Sequence, residues 1–318
     1  MTLTELRYAV ALAREKHFGR AAAACFVSQP TLSVAIRKLE NELGVTLFER
    51  SMQDVNVTPV GEQVVAQAQQ VLSQVSAIKD MVVQGRDPLN GPLHIGVIYS
   101  IAPYLLPNLM AHMFKIHPHM PLIVQEQYTH NLLEWIKQGK LDAAILALPI
   151  ADSGLAIEPL YDESFYVTMP QSHSLAKKVH ITSHELRKES MLVLGAGHCF
   201  REHVLEATPD ASLYKVEEDG LQRNFEGSSL ETLRYMAAAG IGITVLPALA
   251  VPKHEQEDNL AYVPLRHGKK TDAHVPHRRI VLIWRKNFSR EAACHALAQA
   301  VRECGLHGVQ LLSAPTTE

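Results

Sequence analysis

The stretch Gly195-Ala196-Gly197-His198-Cys199-Phe200-Arg201 sets a thiol where a loop gives way to a helix. The apolar run at 191–194 reads as a strand, the glycines as a loop, and residues 199–207 as helical. Cys199 then lies at or near a helix N-terminus. Unpaired backbone N–H groups there favour the nucleophilic thiolate, as do His198 and Arg201 if they face the sulfur. The residues alone leave a second reading open, a buried cysteine used as a small hydrophobe. Ionisation by itself is a weak lever. A thiol with a pKa of about 8.5 is already several per cent ionised near neutrality, so full ionisation gains only about tenfold. Fast, selective oxidation needs donors that hold the oxidant and stabilise its leaving group.

The other cysteines, Cys25, Cys294 and Cys304, have spacings that suggest neither a disulfide framework nor a zinc finger or ribbon. Cys25 lies in an alanine-rich segment and reads as core. Cys294 and Cys304 fall on one expected helix, about 15 Å apart along its axis, too far to bridge. His267, His274 and His277 lie near Arg278 and Arg279 in what reads as a solvated polar loop, with a metal site as the weaker alternative. Neither a cofactor nor a metal is expected.

A second constellation occupies residues 18–50, FGRAAAACFVSQPTLSVAIRKLENELGVTLFER. Two helical patterns meet at the polar break Val27-Ser28-Gln29-Pro30. Ser28 suits an N-cap and Pro30 the first turn. Leu32, Ile36, Leu39 and Leu43 share the expected buried face, with Ala35 between them. Gln29, Thr31, Ser33, Arg37 and Lys38 mark the opposite side. A short helix, a tight turn and a second helix with small polar residues in its first turn describe a helix-turn-helix, whose second helix enters the major groove. Strands at 47–50 and 55–57 would form a wing that brings Arg50 beside a phosphate or the minor groove. The expected DNA-contacting residues are Ser28, Gln29, Pro30, Thr31, Ser33, Arg37 and Arg50.

The 318-residue chain is long enough for two or more domains, and its net charge of -3 argues against a non-specific nucleic-acid coat. Residues 1–58 are only slightly basic, so useful affinity for DNA needs linked copies. No segment reads as a membrane span or signal peptide, and a cytoplasmic protein is expected.

Thr58-Pro59 opens a long helix on which Val64, Ala68, Val71, Val75, Ile78 and Val82 recur at steps of three and four. That rhythm fits a two-helix coiled coil, the alternative being a helix packed on its own chain. A Gly/Pro/Asn/Asp-rich linker follows at 84–92. Strands are then expected at 93–97, 122–126, 142–146, 163–169, 191–194, 241–246 and 280–284. Helices are expected at 104–115, 129–138, 199–207, 228–239 and 290–304. Repeated β-α-β units imply an α/β fold with a parallel sheet and helices on both faces. Residues after 306 read as a frayed tail.

The alanine-rich packing helix, the Ser-Gln-Pro-Thr-Leu-Ser turn, Leu-Glu-x-x-Leu-Gly and Leu-Phe-x-Arg together resemble the LysR-type transcriptional regulators, across about 300 residues. The resemblance implies a winged helix-turn-helix over 1–58, a dimerising linker helix over 59–84 and a hinge over 85–92. A sensor domain over 93–305 would consist of two Rossmann-like lobes resembling a periplasmic-binding-protein fold. Lobe I would be 93–162 with 268–305, lobe II 163–267, with crossovers near 160–165 and 264–268 and a tail at 306–318.

Gly-His-Cys-Phe-Arg, with Glu126-Gln-Tyr-Thr-His130, resembles the peroxide-sensing members of that family. There the matching cysteine is oxidised to sulfenic acid, and a second cysteine nine residues on closes a disulfide. Here that position is Thr208. By the same resemblance Ser100, where the family commonly has threonine, and Thr129, His198 and Arg201 would form the peroxide pocket. Thr129 reads equally as a helix cap. The resemblance implies promoter DNA, further copies of the chain (a homodimer or homotetramer) and RNA polymerase as partners, hydrogen peroxide as effector, and no enzymatic activity. Two alternatives stand beside it: a co-inducer bound between the lobes, and a thiol-dependent enzyme.

Overall fold

The computed structural model describes residues 1–50, 55–83, 87–150, 154–211, 226–227, 229–253, 259–266 and 275–313. It comprises an N-terminal unit and a larger unit that begins at Asp87. Expectations for Ser228, His267, Gly268, His274 and the side chains of Arg50 and Val82 lie outside the described residues.

In the N-terminal unit, α1 (Leu3–Glu15) opens with a capping box. The Thr2 hydroxyl accepts from the Glu5 N–H at 3.2 Å, and the Glu5 carboxylate accepts from the Thr2 N–H at 2.7 Å. After α2 (Phe18–Ala24) comes α3 (Gln29–Leu43), capped by Ser28, whose hydroxyl accepts from the Thr31 N–H at 3.3 Å, with Pro30 in the first turn. Leu32, Ile36 and Leu39 are buried with Leu6, Leu12 and Ala21. Leu43, expected on that face, is exposed, because it is the last residue before the left-handed Gly44 (φ 70°) turns the chain away.

Strands β1 (Phe48–Arg50) and β2 (Val55–Val57) pair antiparallel as the wing. Glu40 of α3 ties the wing to the helix, its carboxylate accepting from the Leu47 and Phe48 N–H groups at 2.8 and 3.1 Å. Thr58 caps α4 (Pro59–Val83) by accepting from the Gly61 N–H at 2.9 Å. Within the apolar stripe of α4, Val64, Ala68 and Val71 pack into this unit's own core. Ile78 further along is exposed.

The larger unit begins with β3 (Leu93–Ile98), α5 (Ala102–Ile116), β4 (Leu122–Gln127), α6 (Thr129–Lys137) and β5 (Ala143–Ala147), with β3 lying parallel between β4 and β5. Next comes β6 (Leu155–Pro170), then β7 (Ile181–Thr182), β8 (Met191–Leu194), α7 (Cys199–Ala207), β9 (Glu226–Gly227), α8 (Leu230–Ala238), β10 (Ile243–Pro247) and β11 (Leu260–Arg266). Finally β12 (His277–Arg285), α9 (Glu291–Glu303) and β13 (Val309–Leu311) return to the first lobe.

One 11-stranded sheet runs through both lobes, and it is mixed rather than parallel. β6 is far longer than expected and serves both lobes. Its first half pairs antiparallel with β12, its second half with β10 and β11. A chain that leaves a lobe along one strand and returns along the next must run antiparallel there. Two apolar cores flank this shared strand, one in each lobe.

Two further expectations fail. His277, Arg278 and Arg279 do not lie in a polar loop but begin β12, where alternate residues enter the interior. Nor do residues 307–313 fray, the rest of the tail lying outside the described residues. β13 pairs with positions 161–163 of β6, and Arg302 Nε donates to the Leu312 carbonyl at 2.8 Å. Among the described residues no helix is long and apolar enough to cross a membrane.

The Glu40 bridge generates a prediction. Glu40→Ala leaves two backbone N–H groups without their acceptor and should cost about 1–3 kcal/mol. Thermal unfolding of the N-terminal unit should register that loss, with a smaller loss for Glu40→Gln, which keeps an amide oxygen.

Candidate functional site

Cys199 is the first residue of α7 and is partly exposed. Gly197 precedes it at φ 94°, a left-handed conformation that favours glycine, and the Tyr128 ring packs against that glycine. Although α7 belongs to the second lobe, the Cys199 side chain packs on the core of the first, while Phe200 enters the core of the second. The thiol therefore bridges the lobes.

A small space beside it is lined by Ile98, Tyr99, Ser100, Gln127, Tyr128, Thr129, Gly197, His198 and Cys199. Its cavity volume is about 10 Å³, near the lower limit for one water molecule. An organic co-inducer would need a few hundred cubic ångströms. Tyr128 meets His198 edge to face at 4.8 Å and Tyr99 at 5.2 Å, forming an aromatic wall. The Gln127 side-chain oxygen accepts from the Tyr128 N–H at 3.0 Å and orients that wall.

Two hydroxyls enter this space. Thr129 begins α6, yet its Oγ1 is buried with no hydrogen-bond partner among the described residues, so the side chain is not serving as a cap. A buried hydroxyl without a partner carries a desolvation cost that a polar ligand would relieve. Ser100 is also buried, and its Oγ accepts from Arg278 Nη1 at 2.7 Å. Because the serine oxygen accepts from the arginine, its own proton is left to donate elsewhere.

Arg278 is the residue that sequence reasoning missed. It is 2% exposed. Its Nε donates to Glu163 Oε1 at 2.7 Å, and Nη2 donates to the Ser100 carbonyl at 3.2 Å. The guanidinium also lies over the Phe200 ring, 4.6 Å from the centroid. The other Glu163 oxygen accepts from the Leu249 N–H at 3.3 Å. One buried cation thus joins the strand shared by the lobes to the serine beside the thiol and to the residue after the thiol. The apolar run at 280–284 marks the strand, and its extension back over 277–279 sends Arg278 inward and Arg279 outward.

The expected cationic support for the thiolate takes a different form. His198 is buried between Tyr99 and Tyr128, and that burial lowers its pKa, so the ring is held neutral. Arg201 does not line the space; its Nη1 donates to the Leu194 carbonyl at 2.7 Å, on the second-lobe side of α7. The helix N-terminus remains as the source of positive potential at the sulfur.

The other three thiols sit differently. Burial raises the pKa of Cys25 and Cys294, and pushes Cys304 up to about 11. Thr208 closes α7, its hydroxyl donating to the Val204 carbonyl at 2.7 Å. It lies nine positions beyond Cys199, about 13 Å along the helix.

In the N-terminal unit Ser28, Gln29, Pro30, Thr31 and Arg37 are exposed on α3, and Ser33 is half-buried. Lys38 is tied to Glu5 at 2.9 Å. His277 is exposed at the start of β12, and among the described residues no three His, Cys, Asp or Glu side chains gather as a metal site.

A winged helix-turn-helix, a long helix and a two-lobed body with a thiol at the lobe boundary define a sensory DNA-binding regulator. Residues 3–62 match the bacterial regulatory helix-turn-helix of the lysR family, and residues 86–305 match the LysR substrate binding domain. The chain belongs to the LysR family of transcriptional regulators.

It is 41% identical over 303 residues to the DNA-binding transcriptional dual regulator OxyR of Escherichia coli (strain K12), covering 95% of each chain. A full-length OxyR of Pseudomonas aeruginosa, solved with a cysteine changed to aspartate, matches with TM-score 0.73 and 44% identity over 98% of this chain and 99% of that one. A hydrogen-peroxide-bound OxyR cysteine variant of Corynebacterium glutamicum matches with TM-score 0.61 and 31% identity over 95% and 92%.

The buried pair Arg278–Glu163 yields one prediction. Arg278→Met should cost about 3–5 kcal/mol by stranding Glu163 without its counter-ion, whereas pairing it with Glu163→Leu should recover much of that loss. Chemical denaturation of the three variants measures both.

The second concerns pH. His203 of α7 shares a 2.7 Å hydrogen bond with the Leu148 carbonyl of the first lobe, and burial lowers its pKa as it lowers that of His198. A histidine whose folded pKa is depressed binds its proton more readily when unfolded. Stability should therefore fall as pH drops through about 6.5 and below. Melting profiles between pH 7 and 5 should show a smaller acid loss for His203→Gln, which keeps a donor to the carbonyl without titrating.

Proposed function

We propose that this LysR-family regulator senses hydrogen peroxide through Cys199 and controls genes of the oxidative-stress response. The observation that carries the reading is the small space at Cys199, with the buried, unbonded Thr129 hydroxyl and the Arg278-bound Ser100 hydroxyl beside it. Peroxide is the smallest oxidant that can accept from both hydroxyls. The thiolate attacks one peroxide oxygen, the O–O bond breaks, and the second oxygen leaves as hydroxide. Sulfur becomes sulfenic acid, and the hydroxide takes up a proton to give water. Thr129 and Ser100 donate to the oxygens that gain charge, and the neutral His198 supplies one further ring nitrogen.

The hydrogen-peroxide-bound OxyR variant, 31% identical to this chain, supports this reading. The size of the space weighs against an organic co-inducer at this position. With Thr208 in place of a second thiol, the sulfenic acid has no intramolecular partner nine residues on. It can persist, form a mixed disulfide with a small thiol such as glutathione, or oxidise to sulfinate.

Promoter DNA is the proposed partner of Ser28, Gln29, Pro30, Thr31, Ser33, Arg37 and Arg50. Two or four copies pair through α4, on which Ile78 is exposed, and bound promoter presents the protein to RNA polymerase. The chain is a regulator and not an enzyme.

A substoichiometric peroxide pulse followed by peptide mass spectrometry tests the proposal. Cys199 should be modified before Cys25, Cys294 or Cys304, and Thr129→Val should slow that modification by about a hundredfold. Oxidation that begins at Cys25 or Cys304 sinks the reading, as does peroxide consumption continuing well past one equivalent per chain without added thiol.

A further inference from the structure

The outward face of α3 carries an apolar residue that the DNA-contact set leaves out. Val34 is 64% exposed at the middle of the helix. Helical spacing sets it three or four positions from Pro30, Thr31 and Arg37, all of which are also exposed. Its neighbours in sequence turn elsewhere: Ser33 and Ala35 are half-buried, and Leu32 and Ile36 are fully buried.

A valine suits this position poorly on its own terms. It sets apolar surface in water, and its helix propensity is below that of alanine. Branching at Cβ restricts χ1, so the methyl groups cannot fold back along the helix and stand outward. Hydroxyl and amide side chains in the same patch can read donors and acceptors on base edges. The exposed Pro30 and the Thr31 methyl lie one turn earlier, and Val34 adds to that apolar surface, which can favour the apolar feature of the major groove, the C5-methyl of thymine.

We infer that Val34 is a specificity-determining residue that packs on a thymine methyl in each half-site, selecting thymine at that position. This rests on the DNA-binding reading of α3. The pairing uses no hydrogen bond. Its contribution is therefore of the size expected for one buried methyl group, about fourfold in affinity per half-site.

The test uses the full-length chain and a duplex that it selects from a randomised pool. Each thymine of that duplex is replaced in turn by deoxyuridine, which deletes the methyl and leaves the pairing edge intact. One thymine per half-site should lose about fourfold in affinity on replacement with the natural chain, and should lose nothing with Val34→Ala. A repeat selection with Val34→Ala should lose the thymine preference at that position alone. Val34 is exposed, so the variant folds, and melting temperature checks that it does. Unchanged selection by Val34→Ala, or a deoxyuridine penalty that persists in it, overturns this inference while leaving DNA binding intact. Failure of the natural chain to enrich any duplex overturns both.

Discussion

A guanidinium buried in a protein interior must be matched donor by donor, and the larger unit meets that demand around Arg278. Its partners come from separate parts of the fold: Glu163 on the shared strand, Ser100 after β3, and the Phe200 ring on α7. Removing two charges from water costs several kcal/mol for each ion. The cost is tolerable only while all these groups keep their positions. Each partner is therefore constrained by the others, and the serine beside the thiol is held by the same cation that carries the face of the residue following it. Any shift of α7 relative to the first lobe must disturb this network, because Cys199 and Phe200 point into different cores.

The arrangement separates reactivity from stability. Three thiols sit where burial suppresses ionisation, and the fourth sits at a helix N-terminus beside hydroxyls and aromatic rings. His198 does not add a cation at this site. Its buried neutral ring, with Tyr99 and Tyr128, restricts the size of what can enter. Tyr99, Tyr128 and His198 thus wall the small space beside Cys199 with aromatic rings.

Much of the local structure could be read from residue order, because it follows from short-range rules. Ser28 and Pro30 mark the start of α3, the two glycines mark the loop before Cys199, and Thr58-Pro59 marks the start of α4. What could not be read depends on which strands meet. The pair Arg278-Arg279 looks like a solvated charge run in a histidine-rich segment. Only its pairing with Glu163 and Asp162 on β6 sends one arginine to 2% exposure while the other faces out, bonded to Asp162 at 2.8 Å. For the same reason the tail looked free: residues 309–311 have no strong pattern of their own and become a strand because β6 offers an edge. Arg201 supports the thiol only if it faces the sulfur, and that depends on the fold: its Nη1 donates to the Leu194 carbonyl on the second-lobe side of α7. Leu43 fits the helical period yet lies where the helix has already ended.

The strand Leu155–Pro170 belongs to both lobes at once, paired with β12 along one half and with β10 and β11 along the other. A hinge made of loops lets two bodies rotate almost independently. A hinge made of one hydrogen-bonded ribbon does not, since twisting either end is transmitted through the same ladder. The two halves of the sensor should therefore melt together as a single cooperative block. Whatever rearrangement follows chemistry at the sulfur then has to come from the helices and loops laid on that ribbon, while the sheet beneath acts as a fixed frame.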